Sequence, residues 1–257
     1  MIPKIGIYQH FWKQLLLPIA AWVASFVVTF QVLNYLGFTD QPYSNLIINT
    51  VSLLTCMGCI GILGLSAQDL GLKVIRQKLT LHVGLCLVIF SMYWLYYLLA
   101  IRISDFRPFT SATLWGVLNY LVVAFAEELF FRGIFFHVVE KRTSGRAAVL
   151  ITGLLFGLVH FRQGLGMLPK FFTGWLFGSI RYATGMIFLL IFPLHFTYNA
   201  VWLLFQGNWE NPPSWAYLLP LVELLVAVLI SARYKNAGNP DRIGALSFEG
   251  NREEVLS

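Results

Sequence analysis

The chain of 257 residues is 58% hydrophobic and 12% charged, whereas soluble domains carry about 25% charged residues. This composition excludes an ordinary soluble domain and indicates a polytopic membrane protein. The net charge of +6 comes from basic residues that are spread over loops and termini, so we do not expect the protein to bind nucleic acid.

Apolar runs of the kind that form membrane helices divide the chain. We place eight of them, at 13–36, 45–66, 80–102, 114–139, 146–161, 166–182, 185–206 and 215–232. The sequence therefore predicts an all-α membrane protein with about eight transmembrane helices. We expect one integral membrane domain over residues 1–232, followed by a polar cytoplasmic tail at 233–257.

The distribution of lysine and arginine predicts the orientation, because cytoplasmic loops are enriched in both residues. Thirteen fall on the side of the N-terminus and of the even-numbered loops, namely Lys4, Lys13, Lys73, Arg76, Lys78, Lys141, Arg142, Arg146, Arg181, Arg233, Lys235, Arg242 and Arg252. Four fall on the other side, namely Arg102, Arg107, Arg162 and Lys170. We therefore expect both termini in the cytoplasm and residence in a plasma or inner membrane.

Two pairs of glycines indicate where helices pack closely. Gly153 and Gly157 are four residues apart in the fifth run, and Gly174 and Gly178 are four apart in the sixth. Small residues at this spacing let neighbouring helices approach each other. We interpret both pairs as ordinary packing between membrane helices.

Three ionisable residues lie in the middle of the fourth run: Glu127, Glu128 and Arg132. A charge at the centre of a bilayer costs about 2.5–3.5 kcal/mol on insertion scales, so such a cluster needs compensation. Glu128 and Arg132 are four residues apart, so they share a helix face and can pair. Glu127 points about 100° away from this face and has no partner within its own helix. An unpaired carboxylate in a membrane helix is a candidate functional residue. A structural ion cluster between helices is also compatible with the pattern.

Further polar side chains recur in the later runs. His160 ends the fifth run, and His195 and Asn199 lie four apart on one face of the seventh. Together with Glu127 they supply a candidate general base, an imidazole and two hydrogen-bond donors, which is the set that peptide hydrolysis by an activated water needs. The sequence contains neither Gly-x-Ser-x-Gly nor His-Glu-x-x-His, which argues against serine hydrolases and the common zinc hydrolases.

Three motifs on separate helices resemble those of the CPBP family, the CAAX-processing and bacteriocin-processing intramembrane proteases, also called the Abi family. They are, in order, Glu127-Glu128-x-x-x-Arg132, Phe156-x-x-x-His160 and His195-x-x-x-Asn199. The motifs cover residues 124–202, within a motif core at 114–206. The resemblance implies a fold of eight helices that encloses an intramembrane active site, with Glu128 and Arg132 paired to hold the fourth helix.

The resemblance also implies a glutamic-type endopeptidase. In it, Glu127 and His160 would activate the water, and His195 and Asn199 would form the oxyanion site. The expected substrate is a membrane-associated protein or peptide in the lipid bilayer, and no metal or other cofactor is expected.

Two other functions are compatible with the same residues. One is a zinc-dependent intramembrane protease with His160, His195 and Glu127 as metal ligands, since two histidines and a carboxylate form an acceptable catalytic set. The other is a non-catalytic membrane protein, an immunity or scaffold factor that binds its partner without cleaving it.

Overall fold

The computed structural model of this chain describes residues 5–161, 167–209 and 213–234. Residues 235–257 of the predicted polar tail lie outside them, so the tail stays a prediction. All regular secondary structure in the described part is helical, apart from an isolated antiparallel bridge between Phe106 and Phe205. The predicted all-α class is confirmed for these residues.

The described part contains nine α-helices: α1 (Ile5–Tyr35), α2 (Ser44–Leu63), α3 (Arg76–Tyr96), α4 (Ser111–Glu128), α5 (Phe136–Arg142), α6 (Gly145–Leu158), α7 (Met167–Thr184), α8 (Phe196–Leu204) and α9 (Leu219–Arg233). π-Helical segments at Tyr97–Ile101 and Leu129–Phe135 extend α3 and join α4 to α5. The segment Leu190–His195 leads into α8 and is kinked at Phe192, whose backbone is not helical. A 3₁₀ turn at Ser214–Leu218 leads into α9.

Each of the eight predicted apolar runs contains helix, but not each helix is long and apolar enough to cross a membrane. By length and composition, four segments of the described part qualify: Gln14–Tyr35, Ser44–Leu63, Arg76–Ile101 and Ser214–Arg233. α6 has 14 residues and is therefore about 21 Å long, less than the roughly 30 Å of a bilayer core. α7 carries Lys170 and Arg181. An integral membrane protein is supported, and eight full crossings stay a prediction.

The fourth run forms one uninterrupted helical segment from α4 through Leu129–Phe135 into α5. Thr110 begins it with a capping box, in which its hydroxyl accepts a hydrogen bond from the amide of Thr113 and the Thr113 hydroxyl accepts one from the amide of Thr110. The whole π-helical part is buried. The charged cluster of this run therefore lies in the interior of the protein and not against lipid.

α6 and α7 are in close contact through their glycines. A Cβ added at Gly174 would lie 2.9 Å from the Cα of Gly153. The Trp175 side chain lies beside Gly153 and donates its indole N–H to the carbonyl of Leu150 at 2.9 Å. The contact holds the end of α6, where His160 follows, beside the start of α7.

Arg181 belongs to the sixth predicted run and was counted with the basic residues of the cytoplasmic side, but its side chain is not part of an exposed loop. It lies inside α7, is 6% exposed, and donates to the backbone carbonyls of Arg132 (3.2 Å), Asp69 (2.8 Å) and Gly185. These carbonyls give the buried guanidinium its hydrogen-bond acceptors, and the bond to Asp69 connects α7 to the loop between α2 and α3. The predicted orientation therefore rests on the other basic residues.

We expect Gly174→Ala to destabilise the protein, because the new methyl group would meet the backbone of Gly153. Overpacking of this kind typically costs about 1–3 kcal/mol. Gly178→Ala is the matched control, since its Cβ would lie 3.5 Å from the Cα of Val149, an ordinary contact. Thermal unfolding in detergent should show a lower Tm for Gly174→Ala only, and equal Tm values for both variants and the wild type would contradict the packing.

Candidate active site

A cavity of about 850 Å³ lies between the end of α3, the second half of α4, the start of α7, α8 and the start of α9. Glu127, His160, His195 and Asn199 all line it. The four residues come from three separate stretches of the sequence, and the fold brings them to one site.

Glu128 lies behind this cavity and is shared by two donors. Its Oε1 atom is 2.9 Å from Nη1 of Arg132 and 2.7 Å from Nδ1 of His195. All three side chains are buried, Glu128 and Arg132 completely. An ionised carboxylate can only accept hydrogen bonds, so Nδ1 of His195 carries the proton and its Nε2 atom is turned away from Glu128.

Arg132 is enclosed by aromatic rings and by α7. Its guanidinium carbon lies 4.3 Å from the ring centroid of Phe156 and 5.5 Å from that of Phe177. Its Nη2 atom donates to the carbonyl of Gly174 at 3.4 Å. Cation–π contacts of this kind contribute about 2 kcal/mol when they are desolvated, so they help to offset the burial of the charge.

Glu127 has a partner from another helix, which the spacing of residues within α4 could not reveal. Its Oε2 atom lies 3.5 Å from Nε2 of His195, and its side chain is 17% exposed, towards the cavity. The His195 ring therefore lies between two carboxylates, with Glu128 at one nitrogen and Glu127 at the other. Of these two carboxylates, Glu127 is the one that water and substrate can reach.

His160 follows the end of α6 and is oriented by its own backbone. Its Nδ1 atom lies 2.7 Å from the carbonyl oxygen of Phe156, one turn earlier. A carbonyl only accepts, so Nδ1 is the donor and Nε2 is left as the acceptor in the neutral ring. Asn199 lies one turn after His195 on α8 and lines the same cavity.

Both helices that carry the motif residues change their winding at the site. A π-helical segment, Leu129–Phe135, begins directly after Glu128, and the stretch that leads to His195 is kinked at Phe192, whose φ of −137° and ψ of 124° are not helical. π-Helical turns are rare and occur frequently at functional sites. The wider turn in the first helix and the kink before the second alter which face of each helix is presented to the cavity.

Glu223 is a buried acid that the sequence analysis missed. It lies in α9, is 2% exposed, and accepts from the hydroxyls of Tyr93 at 2.7 Å and Thr173 at 3.0 Å. Nearby, the ammonium of Lys170 lies 4.7 Å from the ring centroid of Tyr198, and both of these side chains line the cavity. The hydrogen bonds of Glu223 join α9 to α3 and α7. An ionisable residue in the middle of the last apolar run could have identified Glu223 from the sequence.

We expect Glu128→Ala and Arg132→Ala each to destabilise the protein, because either change leaves a buried charge without its partner. Breaking a buried pair in this way costs about 3–5 kcal/mol. The control is the double variant Glu128→Leu with Arg132→Met, which removes both charges and should recover part of the loss. If both single variants unfold at the wild-type temperature in detergent, the ion pair does not stabilise the fold.

Comparison with known proteins bears on the same region. Residues 109–201, which contain all three motifs, match a family model described as type II CAAX prenyl endopeptidase, Rce1-like. A comparison with curated proteins found no match. The matched family is a protease family that acts on membrane-associated proteins, in agreement with the apolar helices found here. The match supports membership in the CPBP family of CAAX proteases, as the three motifs predict.

Proposed function

We propose that this protein is a glutamic-type intramembrane endopeptidase that cleaves a membrane-associated protein or peptide with water activated by Glu127 and His160. One observation carries the proposal: a carboxylate, two imidazoles and an amide line a single cavity, and these are Glu127, His160, His195 and Asn199. The family match makes a protease the favoured class of function.

The two adjacent glutamates have different environments, which supports different roles. Glu128 is fully buried and already accepts from Arg132 and His195. Glu127 faces the cavity, and its Oε2 atom lies 3.5 Å from Nε2 of His195. A general base must be within reach of the water from which it takes a proton, so Glu127 is the base in this proposal.

The reaction begins with a water molecule between Glu127 and the acceptor nitrogen of His160. Glu127 takes one proton, and the water oxygen bonds to the carbonyl carbon of the scissile peptide. The negative charge that develops on the carbonyl oxygen is stabilised by Asn199 and His195, and donors of this kind are worth about 3–4 kcal/mol each. Glu127 then returns the proton to the leaving nitrogen as the C–N bond breaks.

The position of His195 suggests how it becomes a donor at the right moment. Its Nδ1 proton is held by Glu128, so it can donate to the oxyanion only when Nε2 is also protonated. Nε2 is 3.5 Å from Glu127, the group that receives the proton of water. If Glu127 passes that proton to Nε2, His195 becomes a donor as the oxyanion forms, and the proton passes back to Glu127 and on to the leaving nitrogen as the C–N bond breaks.

The zinc alternative needs a cluster of ligands. In the ranges that the structure describes, no three His, Cys, Asp or Glu side chains form a group that could hold a metal ion, although Glu127, His160 and His195 are all described. We propose the metal-independent reaction because Glu127 can itself act as the base, and a separate experiment distinguishes it from the zinc mechanism.

The function is tested by Glu127→Gln, which keeps the size of the side chain but cannot accept a proton as a carboxylate does. Profiling of protein termini in cells should show cleaved ends with the wild type that are lost with Glu127→Gln. The matched control is Asp105→Asn, the same chemical change in an exposed loop, which should retain them. A scaffold protein would instead give the same termini and the same cellular phenotype with all three forms.

Metal dependence is tested on the purified, reconstituted protein. A strong chelator should leave the wild-type cleavage rate unchanged, because the proposed base is a side chain and not a metal-bound hydroxide. Loss of activity on chelation, followed by recovery when zinc is added, would favour the zinc mechanism instead.

A further inference from the structure

The active-site cavity opens at one end of the helices. Its lining includes Ile101 at the end of α3, Lys170 at the start of α7 and Pro220 at the start of α9. Arg107, before α4, and Trp209, after α8, complete this side of the lining. We call this the cavity end of the molecule, formed by the segments 101–110, 159–161, 167–170 and 205–220 as far as they are described.

Contacts between the loops show that these segments form one surface. The Nε atom of Arg107 donates to the carbonyl of Phe205 at 2.9 Å, and the amide of Asn208 donates to the carbonyl of Ile101 at 2.7 Å. The bridge between Phe106 and Phe205 lies in the same place. The loop that follows α3 and the loop that follows α8 are therefore joined beside the cavity.

The opposite end has its own contacts between loops. Arg146, at the start of α6, donates from Nε to the carbonyl of Ser231 near the end of α9 at 3.2 Å. Arg181, near the end of α7, donates to the carbonyl of Asp69 in the loop before α3. We call this the basic end.

The two ends differ in charge. Among the residues whose side chains the structure describes, and leaving out the buried Arg181, the basic end carries seven lysines and arginines: Lys73, Arg76, Lys78, Lys141, Arg142, Arg146 and Arg233. The cavity end carries Arg102, Arg107 and Lys170. Short loops rich in lysine and arginine remain on the cytoplasmic side of a membrane, so the basic end is the cytoplasmic one.

The aromatic residues of the lining indicate the depth of the opening. Tyr96, Tyr97, Trp209 and Tyr217 all line the cavity at the cavity end. Tyrosine and tryptophan are enriched where a membrane protein crosses the membrane–water interface. The opening therefore lies near the interface on the side opposite the basic end.

We infer that substrates reach the site from the extracytoplasmic side of the membrane. The substrate class is then a membrane-tethered protein or peptide whose scissile bond lies in a segment outside the cytoplasm, and not a prenylated protein held at the cytoplasmic leaflet. The identity of the substrate class rests on the proposed endopeptidase function, whereas the direction of the opening rests only on the structure and the charge distribution.

Cysteine labelling in cells tests the direction of the opening. Tyr217→Cys introduces a thiol at the cavity end, where the tyrosine is 68% exposed, and Lys141→Cys introduces one at the exposed surface of the basic end. The three native cysteines are buried, so each variant is made both in the wild-type background and with Cys56, Cys59 and Cys86 replaced by alanine. The probe is a membrane-impermeant maleimide, applied to intact and to permeabilised cells.

We expect Tyr217→Cys to be labelled in intact cells and Lys141→Cys only after permeabilisation, in whichever background accumulates in the membrane. The reverse pattern would overturn the inference, because the cavity would then face the cytoplasm. Labelling of both variants in intact cells, or of both only after permeabilisation, would also overturn it, since the two ends would not lie on opposite sides.

The second readout is the set of cleaved protein ends, found by profiling of termini in cells, that depends on Glu127. Those lost with Glu127→Gln should map to extracytoplasmic segments of membrane-tethered proteins, and termini in cytoplasmic segments would overturn the inferred substrate class. If no termini differ while Tyr217→Cys is labelled from outside, the proposed protease function fails and the direction of the opening stands.

Discussion

The carboxylate of Glu128 is the group on which the geometry of the site depends. One of its oxygens accepts from Arg132 in the same helical segment and from His195 of a distant one. Arg132 in turn donates to the backbone of α7 and lies against aromatic rings. Burying these charges without partners would cost several kcal/mol each. The helices therefore pack stably only in the arrangement that lets Arg132 and His195 donate to Glu128. The network thereby fixes α4, α7 and the start of α8 relative to one another.

This arrangement leaves the neighbouring glutamate for chemistry. With His195 fixed by Glu128, its second nitrogen is directed at Glu127 on the cavity wall. Two carboxylates that are adjacent in sequence thus meet different surroundings, one enclosed by donors and the other facing the cavity. Different environments are the usual way in which a protein gives similar groups different roles, and the proposed mechanism relies on this difference.

Local spacing predicted the parts of the site that lie within one helix. The four-residue separation of Glu128 and Arg132 predicted their pair, because helix geometry alone places them together. The contact between Glu128 and His195 joins residues 67 apart and depends on tertiary packing, so no periodicity could reveal it. The π-helical segments were not predictable either, since apolar patterns are interpreted with a period of 3.6 residues. All eight apolar runs contain helix, whereas the burial of Arg181 near the end of the sixth run was not predictable, because it depends on contacts with the distant loop at Asp69.

The central claim is that Glu127 carries the proton transfer while Glu128 holds the structure, and a side-by-side measurement on reconstituted protein tests it most directly. Glu127→Gln and Glu128→Gln would each be assayed for thermal stability and for the rate of substrate hydrolysis per folded molecule. We predict that Glu127→Gln unfolds at the wild-type temperature and does not hydrolyse the substrate, whereas Glu128→Gln unfolds at a lower temperature. Glu127→Gln protein that cleaves the substrate at the wild-type rate would contradict the account.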